Sequence, residues 1–167
     1  MLRQITPEDA DDFFLIRSDE ESMQFIPRPV AKTPADVLEV IELIAAGIRK
    51  NESISWGLEL KNKPGFIGMC GFVRSTPVNH RAEVGYILNK NYHGQGLMQE
   101  ALEKIIDYGF NSMKLHSIEA VIMARNKASA SLAEKSKFIK EAYLKDYEYH
   151  HGRFEDTLIY SRLNDLE

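Results

Sequence analysis

Cysteine is nearly missing from these 167 residues, with Cys70 the only one. No intrachain disulfide can form, and a zinc set built on paired thiolates is out of reach. The five histidines, His80, His93, His116, His150 and His151, show no paired metal-ligand spacing, so no metal is expected. Basic charge is also short: 21 Lys and Arg stand against 25 Asp and Glu, a formal net charge of −4. That leaves no basic field to draw in a phosphate backbone, which excludes nucleic acid as an expected partner and favours a cationic substrate. No apolar run approaches the length that crosses a bilayer. The opening Met1-Leu2-Arg3-Gln4-Ile5-Thr6-Pro7-Glu8 turns acidic where a leader would become apolar. Membrane insertion and secretion are therefore disfavoured, and a reducing cytoplasm is the expected location.

What remains is an ordinary globular composition, 44% apolar and 28% charged, enough for one core and one domain over residues 1–167. Leu2 to Ile5 reads as a short strand. Thr6-Pro7-Glu8-Asp9 then reads as an N-cap, a first-turn proline and first-turn acids, opening a helix to about Arg17. The same signature returns at Thr33-Pro34-Ala35-Asp36, ahead of Val37, Val40, Ile41, Ile44 and Ile48 at helical spacing, which predicts a helix ending near Lys50. Ser18 to Lys32 has no clear period and reads as a short helix or loop. Strands are predicted over Ile54 to Leu60 and Phe66 to Arg74 around a turn at Asn62-Lys63-Pro64-Gly65, and again over Arg81 to Leu88. A helix from Leu97 to about Met113, a strand from Ser117 to Met123 and a helix from Lys127 to Ser136 follow. Two final strands, Ile139 to Tyr149 and Phe154 to Leu163, join through His151-Gly152. The order is mixed α/β.

The most informative place is His93-Gly94-Gln95-Gly96, where a strand hands over to the long helix. A helix start offers unpaired N–H groups and partial positive charge to an anion, and glycine lets a diphosphate approach the main chain. A strand-to-helix turn that merely needs glycine reads the same way. Two other nucleotide motifs fail on these residues: Gln99-Glu100-Ala101 stands where a Walker loop needs Gly-Lys-Ser/Thr, and Gln99 stands where a dinucleotide fingerprint needs its third glycine or alanine.

The run Ala82-Glu83-Val84-Gly85-Tyr86-Ile87-Leu88, followed by Tyr92-His93-Gly94-Gln95-Gly96-Leu97-Met98-Gln99-Glu100-Ala101-Leu102, resembles the GNAT N-acetyltransferase superfamily. Within it, the ribosomal-protein N-terminal (alanine/serine) acetyltransferase branch is the most similar. Asn126-Lys127-Ala128-Ser129 with Leu132, Glu134-Lys135 and Phe138 is similar to that branch's asparagine-to-phenylalanine segment, and Gly152 to Tyr160 to its last strand. Two family positions are atypical, His93 and Met98 at the ends of the pyrophosphate pattern. Lys137 replaces a usual glycine and is expected to strain or reshape its turn. The resemblance implies an α+β fold with a mixed, mostly antiparallel, splayed sheet of about six to seven strands and about four flanking helices. It also implies acetyl-CoA as acetyl donor. The pyrophosphate would rest on His93, Gly94, Gln95, Gly96, Leu97 and Met98, and the pantetheine arm on main-chain groups of Ile87 and Leu88 and on Asn126.

Acetyl transfer to an amine needs a neutral nucleophile, a donor for developing negative charge and a proton for the thiolate. Glu83, on the strand beside the thioester, is the candidate base; a solvated glutamate paired with Arg81 is the bland alternative, and Glu59 is the second choice. Ser129, near the cofactor sulfur by resemblance, is the candidate donor to the thiolate, with a plain first-turn serine as the alternative. Asn126 reads equally well as a helix cap. Tyr143 to Tyr149 reads chiefly as packing. The expected reaction is direct transfer to a primary amine, with a protein N-terminal α-amine favoured. A small amine, aided by Asp19, Glu20 and Glu21, and a non-catalytic acyl-CoA sensor stand as alternatives. The last hairpin either supports a homodimer or simply closes the sheet.

Overall fold

The computed structural model describes residues 1–164; residues 165–167, which the sequence reading places in the same domain, lie outside the described residues. Among the described residues seven strands form one sheet: β1 (Leu2–Arg3), β2 (Ile54–Leu60), β3 (Lys63–Thr76), β4 (Arg81–Leu88), β5 (Ser117–Met123), β6 (Ile139–His150) and β7 (Arg153–Leu163), in the order β1-β2-β3-β4-β5-β7-β6. All neighbours are antiparallel except β4 and β5. Five α-helices accompany it: α1 (Ala10–Arg17), α2 (Glu20–Met23), α3 (Pro34–Arg49), α4 (Leu97–Asn111) and α5 (Lys127–Lys135). The helix beyond the expected four is α2, a single turn whose N-cap Asp19 accepts from the Ser22 N–H.

The two Thr-Pro-x-Asp signatures behave differently. At α3, Thr33 Oγ1 accepts from Asp36 N at 3.4 Å and the Asp36 carboxylate accepts from Thr33 N at 2.9 Å, a complete capping box. At the first, the Asp9 carboxylate likewise accepts from Thr6 N at 2.9 Å, but it shares its oxygens with the Arg3 guanidinium at 2.7 and 2.8 Å. Pro7–Asp9 is a 3-10 turn and the α-helix starts only at Ala10. The β2–β3 turn is also tighter than expected: Leu60 pairs with Lys63, so Pro64 and Gly65 belong to the strand.

Apolar residues pack on both faces of the sheet. On one face Phe72, Val84, Ile118 and Tyr160 of the sheet pack with Leu102, Ile105 and Ile106 of α4 and with α5, with Cys70 fully buried among them. On the other, Phe66 of β3 packs with Phe13 and Ile16 of α1 and Val37 and Ile41 of α3. Each such side chain contributes about 1.5–3 kcal/mol by leaving water. β4 serves both layers, with Ala82, Val84, Tyr86 and Leu88 toward α4 and Ile87 toward α1.

β4 and β5 pair only at Arg81↔Ser117, Ala82↔Ile118 and Glu83↔Glu119, while β5 stays paired with β7 out to Met123. Beyond Glu83 the two central strands part, and the sheet is splayed.

Lys137 follows α5 in left-handed backbone, φ 62°. Its N–H donates to Glu134 O and that of Phe138 to Ala133 O, both at 3.0 Å, the paired bonds of a Schellman ending. Lysine carries a Cβ penalty there that glycine does not. Lys137→Gly is expected to add about 1 kcal/mol, a rise of about 2–4 °C in Tm. An unchanged or lowered Tm in a thermal melt would show that the lysine side chain compensates.

Candidate active site

The splay leaves one edge of β4 unpaired with β5 beyond Glu83, and the strand's alternation decides which groups face it. Asn89 N–H donates to Ile67 O on β3 at 2.8 Å. Main-chain groups point alternately to the two sides of a strand, so those of Gly85 and Ile87 also face β3, whereas those of Tyr86 and Leu88 face the gap. The Leu88 carbonyl accepts from His93 Nε2 at 3.0 Å, which ties the loop back onto the strand. A bulge sits nearby on β3, between Phe72 and Arg74. A Cβ on Gly85 would fall 2.6 Å from Val73 Cγ1, so glycine there permits the bulged Val73 to lie across β4.

After β4, the 3-10 turn Lys90–Tyr92 leads into the loop. Gly94 and Gly96 have φ of 73° and 75°, and a Cβ on either would meet nothing within 4 Å. The glycines answer a backbone requirement and leave clear space in front of the α4 start. Gly96 is the N-cap, its carbonyl accepting from Glu100 N at 3.0 Å. The first-turn N–H groups of Leu97, Met98 and Gln99 lie behind it with the positive end of the helix dipole. The Met98 side chain is buried in the core and Leu97 packs against it, so these two offer only main chain. Gln95 is tied to the turn through Nε2 to Asn91 O at 3.3 Å.

Across the gap, α5 brings Ser129 to 2.6 Å from the Tyr86 hydroxyl, Oγ to Oη. Ser129 is 8% exposed. Asn126 caps α5 through Oδ1, which accepts from Ser129 N at 3.1 Å. Burial pushes the Tyr86 phenol up to about 12, against the easing effect of its bond to Ser129. Tyr86 reads from sequence as an apolar-face residue of β4; its bridge to α5 is not visible there.

Glu83 is the last β4 residue paired with β5, at the fork. Desolvation raises its pKa, the Arg74 guanidinium at 3.4 Å opposes that rise, and the Glu119 and Glu148 carboxylates reinforce it. Its partner is Arg74, not Arg81. Arg81 instead holds Glu119 at 2.7 Å and Ser117 Oγ at 2.8 Å. Glu59, the second choice, lies away from the fork in an ion pair with Arg3 at 2.7 Å.

A further cluster joins three remote segments. Arg125 donates to Glu155 at 3.0 Å and to Gln24 O at 3.3 Å, and stacks 4.8 Å from the Phe25 ring centroid. His150 Nε2 donates to the same Gln24 carbonyl at 3.1 Å. Lys90 fastens the other end of this segment, 2.7 Å from Asp19 and 3.6 Å from Glu21, so Asp19 is already engaged. Tyr143, Tyr147 and Tyr149 are exposed on β6; they do not pack into the core. Among the described residues no group of His, Cys, Asp and Glu is placed to hold a metal. Among the described residues no helix is long and apolar enough to cross a membrane.

The sheet thus parts ahead of a glycine-lined helix start, with a desolvated carboxylate at the fork. The chain belongs to the GNAT acetyltransferase family, whose domain pattern matches residues 1–139. It is 32% identical over 161 residues to the uncharacterized N-acetyltransferase YoaA of Bacillus subtilis (strain 168), spanning 96% of this chain and 91% of that protein. It is 32% identical over 101 residues to the ribosomal-protein-serine acetyltransferase of Escherichia coli (strain K12), 60% of this chain and 56% of that one. In fold it matches RimL, a ribosomal L7/L12 alpha-N-protein acetyltransferase solved with coenzyme A. That match has a TM-score of 0.90 at 20% identity, over 99% of this chain and 94% of that chain. The chain is an acetyl-CoA-dependent N-acetyltransferase.

Proposed function

We propose that this enzyme acetylates a protein N-terminal α-amine, in the cytoplasm, with residues 1–167 working as one domain. The observation that carries the reading is the half-buried Glu83 at the β4–β5 fork, its pKa raised and a single arginine beside it. An α-amine has a pKa of about 8 and is partly neutral at physiological pH, whereas a lysine amine near about 10.4 is not. A carboxylate of modestly raised basicity suits the first. The names of the Escherichia coli relative and of RimL, which describe ribosomal-protein and α-N-protein acetylation, support the same acceptor class.

The residues fit the donor. The open space before Gly94 and Gly96 and the first-turn N–H groups would hold its diphosphate, with His93 and Gln95 shaping the loop. The gap-facing main chain of Leu88 and Tyr86, more than that of Ile87, would meet the pantetheine arm, with Asn126 Nδ2 beside it on α5. Acetyl-CoA supplies the activated acetyl group and a thiolate leaving group. Glu83 takes, directly or through water, the proton that the amine loses as its nitrogen bonds the acetyl carbon. Ser129 donates a hydrogen bond to the sulfur as it departs with the C–S electron pair, and water then protonates that sulfur.

The deciding experiment is mass spectrometry of peptides differing at the N-terminal residue, alongside spermidine and an aminoglycoside, with CoA release followed in parallel. Acetylation confined to the peptide α-amine is expected. Transfer to the small amines alone overturns the acceptor class, and CoA binding without any transfer assigns a sensor instead. A homodimer would use the exposed β6 edge with its tyrosines, and sedimentation velocity reads that directly.

A further inference from the structure

Two hydroxyls 2.6 Å apart share one hydrogen between them and leave the other to be spent elsewhere. The choice of donor in the Tyr86–Ser129 pair therefore decides where the Ser129 hydrogen points. A phenol is the stronger acid of the two, and burial keeps this one protonated. Among the described residues its only other acceptor is the Ser129 carbonyl at 3.5 Å, beyond the usual range for such bonds. The short bond is therefore Tyr86 Oη–H to Ser129 Oγ. Ser129 Oγ then has its own hydrogen free, and among the described residues it makes no second hydrogen bond. A helical serine otherwise tends to turn its hydrogen back onto a carbonyl of the preceding turn. Here the accepted bond from Tyr86 holds Oγ toward β4, and a hydroxyl that accepts is also a better donor.

We propose that Tyr86 is a positioning residue for departure of the thiol: it donates to Ser129 Oγ and so presents the Ser129 hydrogen to the sulfur of the acyl donor. Tyr86 makes this contact from the strand edge just past Glu83, where β4 has left β5. The two halves of the reaction, proton removal from the amine and stabilisation of the sulfur, are thus set by residues three apart on one strand. The inference rests on the reading of Ser129 as the donor to sulfur.

The test uses the full chain with CoA itself and so needs no acceptor. The sulfur of bound CoA is titrated by its ultraviolet thiolate absorbance in wild type, Tyr86→Phe, Ser129→Ala and the double variant, and the affinity of each for desulfo-CoA is measured beside it. Tyr86→Phe removes one oxygen and keeps the ring, and a thermal melt checks its fold. It is expected to raise the pKa of the bound sulfur by about half a unit, the size of one modest hydrogen bond. Ser129→Ala should raise it at least as far, the double variant should match Ser129→Ala, and desulfo-CoA affinity should hold throughout. If Ser129→Ala shifts the sulfur and Tyr86→Phe does not, the positioning role falls and the Ser129 reading stands. If neither shifts it, the Ser129 reading falls and takes the proposal with it. Equal loss of CoA and desulfo-CoA affinity in Tyr86→Phe would make Tyr86 a packing residue only.

Discussion

Glu83→Gln is expected to lower kcat by about 10²–10⁴-fold at neutral pH, the usual worth of a positioned general base. The KM for acetyl-CoA should change little. The amide keeps the size of the side chain and its place at the fork, so Tm should hold while the rate falls. In the wild type the acid limb of the kcat/KM profile should lie above the ordinary carboxylate range, because burial raises the Glu83 pKa. The rate climbs with pH through that value as the carboxyl loses its proton and becomes a base. Two neighbours should move the limb in opposite directions. Arg74→Gln removes the cation that favours the carboxylate, so the limb moves to higher pH. Glu148→Gln removes a like charge, so it moves to lower pH. A limb that ignores both substitutions assigns the titration to another group and removes Glu83 from the mechanism.

Gly96→Val is expected to abolish measurable binding of CoA, or to weaken it at least ~10-fold, with a folded protein remaining. The two effects separate because a Cβ at this position meets nothing within 4 Å. The fold bears only the strain of left-handed backbone, about 1–2 kcal/mol and more for a β-branched residue. The side chain instead enters the space in front of the α4 N–H groups, where a diphosphate would need to lie against main chain. Isothermal titration with CoA, beside a thermal melt, distinguishes lost binding from lost fold. Retained affinity would mean that the phosphates bind elsewhere and that the loop is an ordinary turn.

The central strands were legible because their ends carry their own signals. Arg81–Leu88 and Ser117–Met123 occupy the spans expected from alternation and flanking breakers, and α3 starts where its capping box places it. Glu83 sits at the fork, Ser129 reaches Tyr86 on the parted stretch of β4, and the loop glycines follow the end of that strand; each sits at a strand edge or helix start that local pattern marks. Their partners were not legible. Arg81 is the apparent partner of Glu83 along one strand, but the β3 bulge inserts Val73 and turns Arg74 onto it. No periodicity within β4 carries that information. The Gln24 carbonyl joins Arg125 and His150, which lie 101 and 126 residues away. Such contacts belong to topology, and a side chain seen alone gives no hint of them. Tyr86 shows the same limit: alternation assigns it a face correctly but not the serine it reaches. The β6 tyrosines miss for another reason, because strand-forming composition resembles packing while an edge strand has solvent on its outer side.

Fully buried Cys70, with its thiol pushed up to about 12 by desolvation, has a practical consequence at the bench. Reagents that turn yellow on meeting a thiolate need a sulfur that is both ionised and reachable, and this one is neither. In the native enzyme the colour therefore counts released CoA alone. Any slow extra equivalent arising without acetyl-CoA is a measure of how often the packing of side chains around Phe72 comes apart, so the same reagent reports turnover and opening of the core.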